Sequence, residues 1–259
     1  LLGSFTSMAI DGEEQLAEPV RLTAWRAPTD NDRNIRLLWG SYNIWQGENL
    51  DKLFSKVYDC AVSEGKVNIE ASLAGVSRKP FFRYTLEIAV DRTGRISVKL
   101  QGKVRENVVW LPRLGFECAL PGINMPFRYY GCGPTESYCD LRHGGTVGMY
   151  ESAPDREYVP YARPQEHGNH THVRLLEIGR LRVESENAFE CNVSPFSTAA
   201  LDRAEHTDEL TSDGKTHLRL DYKVSGIGSN SCGPELLPKY RLSEKDIAFQ
   251  LVISPGQGS

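Results

Sequence analysis

Hydrophobic and polar residues alternate with a period of two through much of the chain. Five stretches show the pattern: VNIEASL (67–73), RYTLEIAVD (83–91), GRISVKLQG (94–102), HLRLDYKVSG (217–226) and DIAFQLVIS (246–254). The apolar positions of the second stretch are Tyr84, Leu86, Ile88 and Val90. Because successive side chains on a strand point to opposite faces, each stretch predicts a half-buried strand with one face in water. Such strands are typical of antiparallel sheets.

Turn and helix signals complete the outline of the fold. The tetrapeptide DRTG (91–94) lies between two of these stretches and predicts a hairpin turn. Residues 35–56 hold apolar residues at looser spacing and predict a helical turn or two, and residues 197–206 predict a short helix capped by Ser197 or Thr198. No strand–helix alternation indicates a parallel sheet. We therefore expect one all-β domain over residues 1–259, a large antiparallel β-sandwich with few short helices.

Composition argues against two functional classes, nucleic-acid-binding proteins and membrane proteins. The formal net charge is −4 and Lys and Arg are scattered, which argues against a general nucleic-acid-binding protein. Nothing approaches 18 consecutive apolar residues, so we expect no membrane partner. The first residues, LLGSFTSMAI, lack an initiator Met and the features of a signal peptide. The expectation is a cytoplasmic fragment of a longer protein.

The cysteines fit no metal-binding template. There is no C-x-x-C pair among the six, which are Cys60, Cys118, Cys132, Cys139, Cys191 and Cys232. We expect them to be reduced, since no secretion signal is visible.

Unusual residues collect in four segments between the strands. They are WRAPTDND (25–32), GCGPTESYCD (131–140), PQEHGNHTH (164–172) and GIGSNSCGP (226–234). Polar, aromatic and glycine residues gathered in loops on a rigid sheet favour a binding face, although solvated turns have a similar composition. The tryptophans that could stack on a sugar are Trp25, Trp39, Trp45 and Trp110.

The histidine-rich segment raises the question of a metal. His170 and His172 are two apart, so on a regular strand they would point to one face and could bind zinc, with His167 or Glu166 as a third ligand. The alternative is hydrogen-bonded or solvated histidines, and this is the interpretation we favour. We therefore expect no metal site in this chain.

The acidic residues of the loops have two interpretations. Asp30, Asp32, Glu136 and Asp140 could supply an acid/base pair in a self-sufficient enzyme. We favour structural roles: Asp30 and Asp32 as acceptors of backbone N–H groups in their turn, and Glu136 and Asp140 as partners of arginines such as Arg142.

The four segments, in this order, resemble landmarks of the C-terminal small-chain domain of family 2 β-galactosidases. The resemblance extends from about Leu22 to Ile253 and rests on the spaced motifs R-A-P-x-D-N-D and G-x-G-P-x-E-x-Y-x-D. It implies a supersandwich fold like that of galactose mutarotase. It also implies hydrolysis of terminal β-D-galactosides such as lactose by a retaining mechanism, with two catalytic carboxylates. In this family both glutamates and the magnesium ligands lie in a central (β/α)₈ barrel, which is not part of this sequence.

The resemblance therefore implies a domain without a catalytic residue. The expected partners are the catalytic barrel, a galactoside substrate and further copies in a homo-oligomer, and the full enzyme is expected to use magnesium, with sodium as a second candidate. The residues expected to bind substrate are Cys232, Asn230, Asp30, Asn31 and Asp32. Well-known members of the family have tryptophan where this chain has Cys232, so aromatic stacking at that position is lost. The alternatives are a mutarotase-like epimerase, a stand-alone carbohydrate-binding module, or a purely structural domain.

Overall fold

A computed structural model describes residues 5–43 and 45–256 of the chain. Within these residues it contains fourteen strands and three short α-helices. The strands are β1 (Ala9–Ile10), β2 (Glu13–Glu14), β3 (Glu18–Thr23), β4 (Leu53–Ser63), β5 (Lys66–Gly75), β6 (Phe82–Val90), β7 (Ile96–Val104), β8 (Arg113–Pro121), β9 (Phe127–Gly133), β10 (Thr146–Ser152), β11 (Asn169–Ile178), β12 (Leu181–Ser194), β13 (Lys215–Val224) and β14 (Asp246–Pro255). The helices are α1 (Arg36–Trp39), α2 (Pro154–Glu157) and α3 (Thr198–Arg203). The all-β prediction is confirmed.

Twelve of the strands form one branched antiparallel sheet. Its main path runs β10-β9-β11-β12-β14-β7-β6-β5-β4. The branch occurs at β12, whose first residues pair with β14 and whose last residues pair with β13. Strand β13 continues to β8 and then β3. One long strand therefore belongs to both arms of the sandwich.

The two arms pack face to face through aromatic and aliphatic side chains. Phe249 of β14 stacks on Phe116 of β8, with ring centroids 6.1 Å apart, and lies edge-on to Tyr222 of β13 at the same distance. Burial of this apolar surface is the main source of stability for such a sandwich. The hydrophobic positions that the period-two pattern selects, such as Leu86, Leu100 and Leu251, lie in this core.

Most local predictions are confirmed. The five alternating stretches lie in β5, β6, β7, β13 and β14. The hairpin between β6 and β7 closes through an Asp91 N–H bond to Arg95 O of 3.0 Å. Helix α1 supplies the helical turn in residues 35–56, and Ser197 caps α3 by accepting a hydrogen bond from Ala200 N.

The expectation of one wet face per strand is wrong for β13. Its apolar face is buried as expected, but His217, Arg219 and Asp221 on the opposite face are buried as well. These polar groups are paired: Asp221 binds Arg113 in two hydrogen bonds of 3.0 and 2.5 Å, and Arg219 binds Asn192 and Thr198. Alternation predicts which residues share a face, but it cannot show that residues of other strands and of α3 cover the polar one.

Among the described residues, no helix has the length and apolar composition needed to cross a bilayer.

Candidate functional site

A buried arginine organises the first of the four unusual segments. Arg26 is fully buried and binds both carboxylate oxygens of Asp32, at 3.0 and 2.7 Å. Burial alone would lower the pKa of Arg26, but the Asp32 carboxylate outweighs burial, so the net shift of this pKa is upward. Asp32 also accepts a hydrogen bond from Thr29 N at 2.9 Å, as predicted for an acceptor within its own turn. The guanidinium remains charged inside the protein because its partner is fixed.

Arg26 also binds the start of the fourth segment. Its guanidinium donates to Ser225 O at 2.6 Å and to Gly226 O at 3.0 Å. These bonds satisfy the two carbonyls that lead out of β13 into residues 226–234, which we call the GIG loop. A single buried cation therefore connects two segments that are 199 residues apart in sequence.

Asp140 holds the GIG loop from the second segment. Its carboxylate accepts hydrogen bonds from Ile227 N at 3.0 Å and Gly228 N at 2.7 Å. Gly226 lies so close to this carboxylate that a Cβ on residue 226 would be 2.5 Å from Asp140 Cγ. Because charged acceptors make strong hydrogen bonds to backbone N–H groups, Asp140 fixes the path of the loop.

The third segment supports the first. Gln165 accepts a hydrogen bond from Asp30 N at 2.8 Å, and Glu166 N donates to Ala27 O at 3.0 Å. Sequence reasoning missed Gln165, because one glutamine beside a proline carries no pattern. The four segments therefore form one assembly, in which the first and second hold the GIG loop and the third supports the first.

The predicted substrate-binding residues lie around this assembly. A cleft of about 310 Å³ is lined by Asn31, Asp32 and Asn230, together with Ile35, Trp110 and Leu236. Asn31 donates to Gly228 O at 2.7 Å and accepts from Ser231 N at 3.1 Å, which fixes its amide against the GIG loop. Glu235 lines the same cleft and was also missed, since it follows the recognised motif.

Asp30, Asp32 and Cys232 differ in solvent exposure. Asp30 and Cys232 are exposed, whereas Asp32 is buried and holds Arg26. A direct contact with a sugar is therefore easier for Asp30, Cys232 and the two asparagines than for Asp32. The substrate-binding assignment of all five residues stays a prediction.

The histidines do not form the arrangement that a zinc site requires. A bulge between His170 and Val173 breaks the alternation of β11, and His172 has a φ of 58°. His170 is buried and bonds Glu157 at 2.9 Å, while His172 is exposed and bonds Arg142 at 3.0 Å. Among the described residues no group of three potential ligands is placed to hold a metal. The expectation of no bound metal stays a prediction, which metal analysis of untagged protein would test.

The predicted arginine partners of Glu136 and Asp140 are wrong. Glu136 accepts hydrogen bonds from Gly168 N at 2.7 Å and Tyr161 OH at 3.3 Å. Asp140 binds the GIG loop, and Arg142 binds His172. The physical reason is that loop N–H groups buried beside these carboxylates need acceptors, whereas Arg142 is exposed and can be solvated.

Only part of the predicted tryptophan set is available to stack on a ligand. Trp25 and Trp39 are buried, and Trp39 donates to Trp110 O at 2.6 Å. Trp45 is 86% exposed, and Trp110 is partly buried and lines the cleft. Two of the three tryptophans between residues 25 and 45 are therefore part of the core.

The fold and the loops together define a class: a mainly antiparallel supersandwich that carries a polar loop assembly at one end of its strands. A putative aldose 1-epimerase from Escherichia coli K12 has a similar fold, with a TM-score of 0.50 at 9% sequence identity; the match covers 97% of this chain and 91% of that chain. At this identity the likeness concerns the fold alone.

Sequence comparison gives the family. The family described as "Beta galactosidase small chain" matches residues 2–253, so the chain belongs to this family. It is 32% identical over 256 residues to the β-galactosidase of Actinobacillus pleuropneumoniae and 33% identical over 259 residues to that of Lactobacillus delbrueckii subsp. bulgaricus. Both matches cover 96% of this chain and 25% of the relative. The chain therefore spans about a quarter of the length of these relatives.

Proposed function

We propose that this chain completes the active-site entrance of a β-galactosidase that hydrolyses terminal β-D-galactosides such as lactose. The observation that carries the proposal is the GIG loop, which Arg26 and Asn31 of the first segment and Asp140 of the second hold in place while Cys232 stays exposed on it. A turn that only links two strands does not need to be held by a buried ion pair and by a carboxylate that accepts two of its N–H groups. Such rigidity suits a loop that has to present side chains to a ligand.

The chemistry of bond cleavage belongs to the remainder of the enzyme. A retaining glycosidase needs two carboxylates about 5–5.5 Å apart, and Asp32, Glu136 and Asp140 are committed to Arg26 or to loop N–H groups. We assign both catalytic carboxylates to a (β/α)₈ barrel that partners this chain. Magnesium, with sodium as a second candidate, is assigned to the same barrel.

The role of this chain is to bind and orient the sugar. Asn230, Asn31 and Asp30 offer amide and carboxylate groups that can hydrogen-bond to hydroxyls at the entrance. Cys232 offers a small thiol in place of an aromatic ring, so it leaves more room for the group attached to the galactose. We propose further that the complete enzyme is a cytoplasmic homo-oligomer.

Reconstitution tests the proposal. The isolated chain is expected to leave nitrophenyl β-galactoside intact, and the chain combined with its barrel is expected to hydrolyse it. Asn230→Ala in the complete enzyme should raise KM about three- to tenfold, which corresponds to one hydrogen bond. Asn187→Ala, on an exposed position of β12, is the matched control and should leave KM unchanged.

Two results would overturn this proposal. One is galactoside hydrolysis by the purified isolated chain, free of host enzyme. The other is equal KM values for the Asn230→Ala and Asn187→Ala enzymes. A mutarotase assay with α-galactose on the isolated chain tests the epimerase alternative in the same preparation.

A further inference from the structure

A second cleft lies on the side of the molecule where β11, β12 and β13 meet the segment that follows the GIG loop. It has a volume of about 750 Å³, and its lining includes Arg142, Lys223, Lys239 and Arg241. Two carboxyl groups, Glu190 and Glu244, also line it. We call it the basic cleft. The predicted substrate-binding residues are not among its lining residues.

The charge of the basic cleft differs from that of the whole chain. The chain has a formal net charge of −4, yet four cationic side chains line this cleft against two carboxyl groups. Burial raises the pKa of Glu190 to about 8, so this carboxyl is mostly protonated at neutral pH. Glu244 is paired with Lys223. Arg241 is paired with Glu235, which lies outside the lining of the cleft, so the excess of positive charge rests on Arg142 and Lys239.

Two of the cations are held in fixed positions without a carboxylate partner among the described residues. Lys239 Nζ lies over the ring of Tyr240, 4.6 Å from its centroid. Arg142 donates to His172 Nε2 at 3.0 Å, and His172 is presented by the bulge in β11 with a φ of 58°. Burial and the neighbouring Arg142 lower the pKa of His172, which keeps the imidazole neutral and able to accept this bond. Both cations are free to bind an anion.

Neutral hydrogen-bonding groups line the same space. Tyr222 and Tyr240 contribute aromatic rings, whereas the hydroxyl of buried Thr171 is already hydrogen-bonded to Ser137 and His172. Protonated Glu190 can donate as well as accept a hydrogen bond. Hydroxyl groups and aromatic rings recognise sugars, while fixed cations recognise phosphate or carboxylate.

We propose that the basic cleft binds an anionic saccharide, whose phosphate or carboxylate is held by Lys239 and Arg142. The ring of the sugar packs against Tyr222 and Tyr240. This site is independent of the proposed role of the GIG loop, and either can fail without the other.

Calorimetric titration of the chain with galactose 6-phosphate, galacturonate, galactose and inorganic phosphate tests this proposal. We expect at least one of the two anionic sugars to bind about tenfold more tightly than both galactose and inorganic phosphate. Lys239→Ala should weaken that binding about three- to tenfold, the range for loss of one charged contact. The matched control is Lys56→Ala on β4, since Lys56 lies over the ring of Tyr58 at 5.3 Å in the same kind of contact. This control should leave the affinity unchanged.

Any of four results would overturn the proposal. One is the absence of saturable binding of either anionic sugar below about 10 mM, a concentration at which even a weak specific site fills. Another is galactose or inorganic phosphate binding as tightly as the anionic sugars. The third is equal affinities for the Lys239→Ala and Lys56→Ala proteins. The same titration with the barrel present shows whether the cleft stays open in the complete enzyme, and loss of binding there would overturn its role as a site.

Discussion

A methyl group has no room at residue 226. A Cβ built on Gly226 would contact all three carboxylate atoms of Asp140 at 2.5–2.7 Å, and that carboxylate is fixed by two loop N–H groups. Gly226→Ala should therefore lower the free energy of unfolding by about 1–3 kcal/mol, the usual cost of overpacking. Urea unfolding measures the change.

Gly144 provides the control for this substitution. A Cβ at Gly144 would meet no atom within 4 Å, so Gly144→Ala should change the free energy of unfolding by less than about 0.5 kcal/mol. Equal effects of the two substitutions would show that Asp140 moves easily and does not fix the loop.

Because of Glu190, the free energy of unfolding should depend measurably on pH. Burial raises the pKa of Glu190 from 4.5 to about 8 in the folded chain, with Asn169 opposing the shift through a hydrogen bond. Between these two pH values the folded state holds a proton that the unfolded state has lost, so stability falls as pH rises. The slope approaches about 1.4 kcal/mol per pH unit at most.

Glu190→Gln should remove this loss of stability. The variant keeps a neutral polar group, so its free energy of unfolding should decrease less than that of the parent between pH 5.5 and pH 8. Glu244→Gln, at the rim of the basic cleft, is the control and should follow the parent. Parallel curves for the parent and Glu190→Gln would mean that Glu190 is ionised in the folded chain.

At the scale of elements, the GIG loop depends on contacts from other segments. Asp140→Ala should expose the N–H groups of Ile227 and Gly228, and hydrogen exchange at these two amides should accelerate by about tenfold or more, the equivalent of one lost charged hydrogen bond. Asp91 makes the matched control, because its carboxylate accepts from Thr93 N and Arg95 N in the β6–β7 turn. Asp91→Ala should accelerate exchange only in its own turn.

Unchanged exchange at Ile227 and Gly228 in Asp140→Ala would contradict this account of the loop. Global unfolding measured on the same samples separates a local opening from a loss of the whole fold.

Strands were predictable from the sequence because alternation is a local property. Strands β6, β7 and β14 follow their apolar positions closely. The second buried face of β13 was not predictable, since its burial depends on Arg113 and Asn192, which come from other strands. The bulge at His172 was missed for the same reason, as neighbouring strands set the register.

The candidate site was predictable in composition but not in its connections. Glycines, asparagines and acidic residues indicate that the four segments are loops. Their order along the chain resembles that of a known family and indicates that they belong to one site. Which carboxylate binds which N–H group depends on loops that meet across as many as 88 residues of sequence. The pairing of Arg26 with Asp32 and the role of Asp140 therefore required the structure.

At the scale of the whole molecule, the sheet joins its two arms through β12. The loop assembly is built from the segments that follow β3, β9 and β13 and from the one that leads into β11. The chain corresponds to about a quarter of the related β-galactosidases. The GIG loop is exposed in this chain, and the proposed function requires that it face the barrel in the complete enzyme.

Cys232 reports directly on this arrangement. Within the described part of the chain, Cys232 is the only exposed cysteine. Burial raises the pKa of Cys118 and of Cys139 to about 12, which makes both thiols unreactive at neutral pH. Cys60 is partly buried on the edge strand β4. Labelling in a Cys60→Ser background therefore removes the other thiol that could react with the reagent.

The most direct test is the labelling rate of Cys232 by a thiol reagent, with and without the barrel and a galactoside inhibitor. We expect rapid labelling of the isolated chain that the inhibitor does not change and that Cys232→Ser abolishes. In the complete enzyme the inhibitor should protect Cys232. Labelling that the inhibitor leaves unchanged in the complete enzyme would contradict the placement of this loop at the active-site entrance.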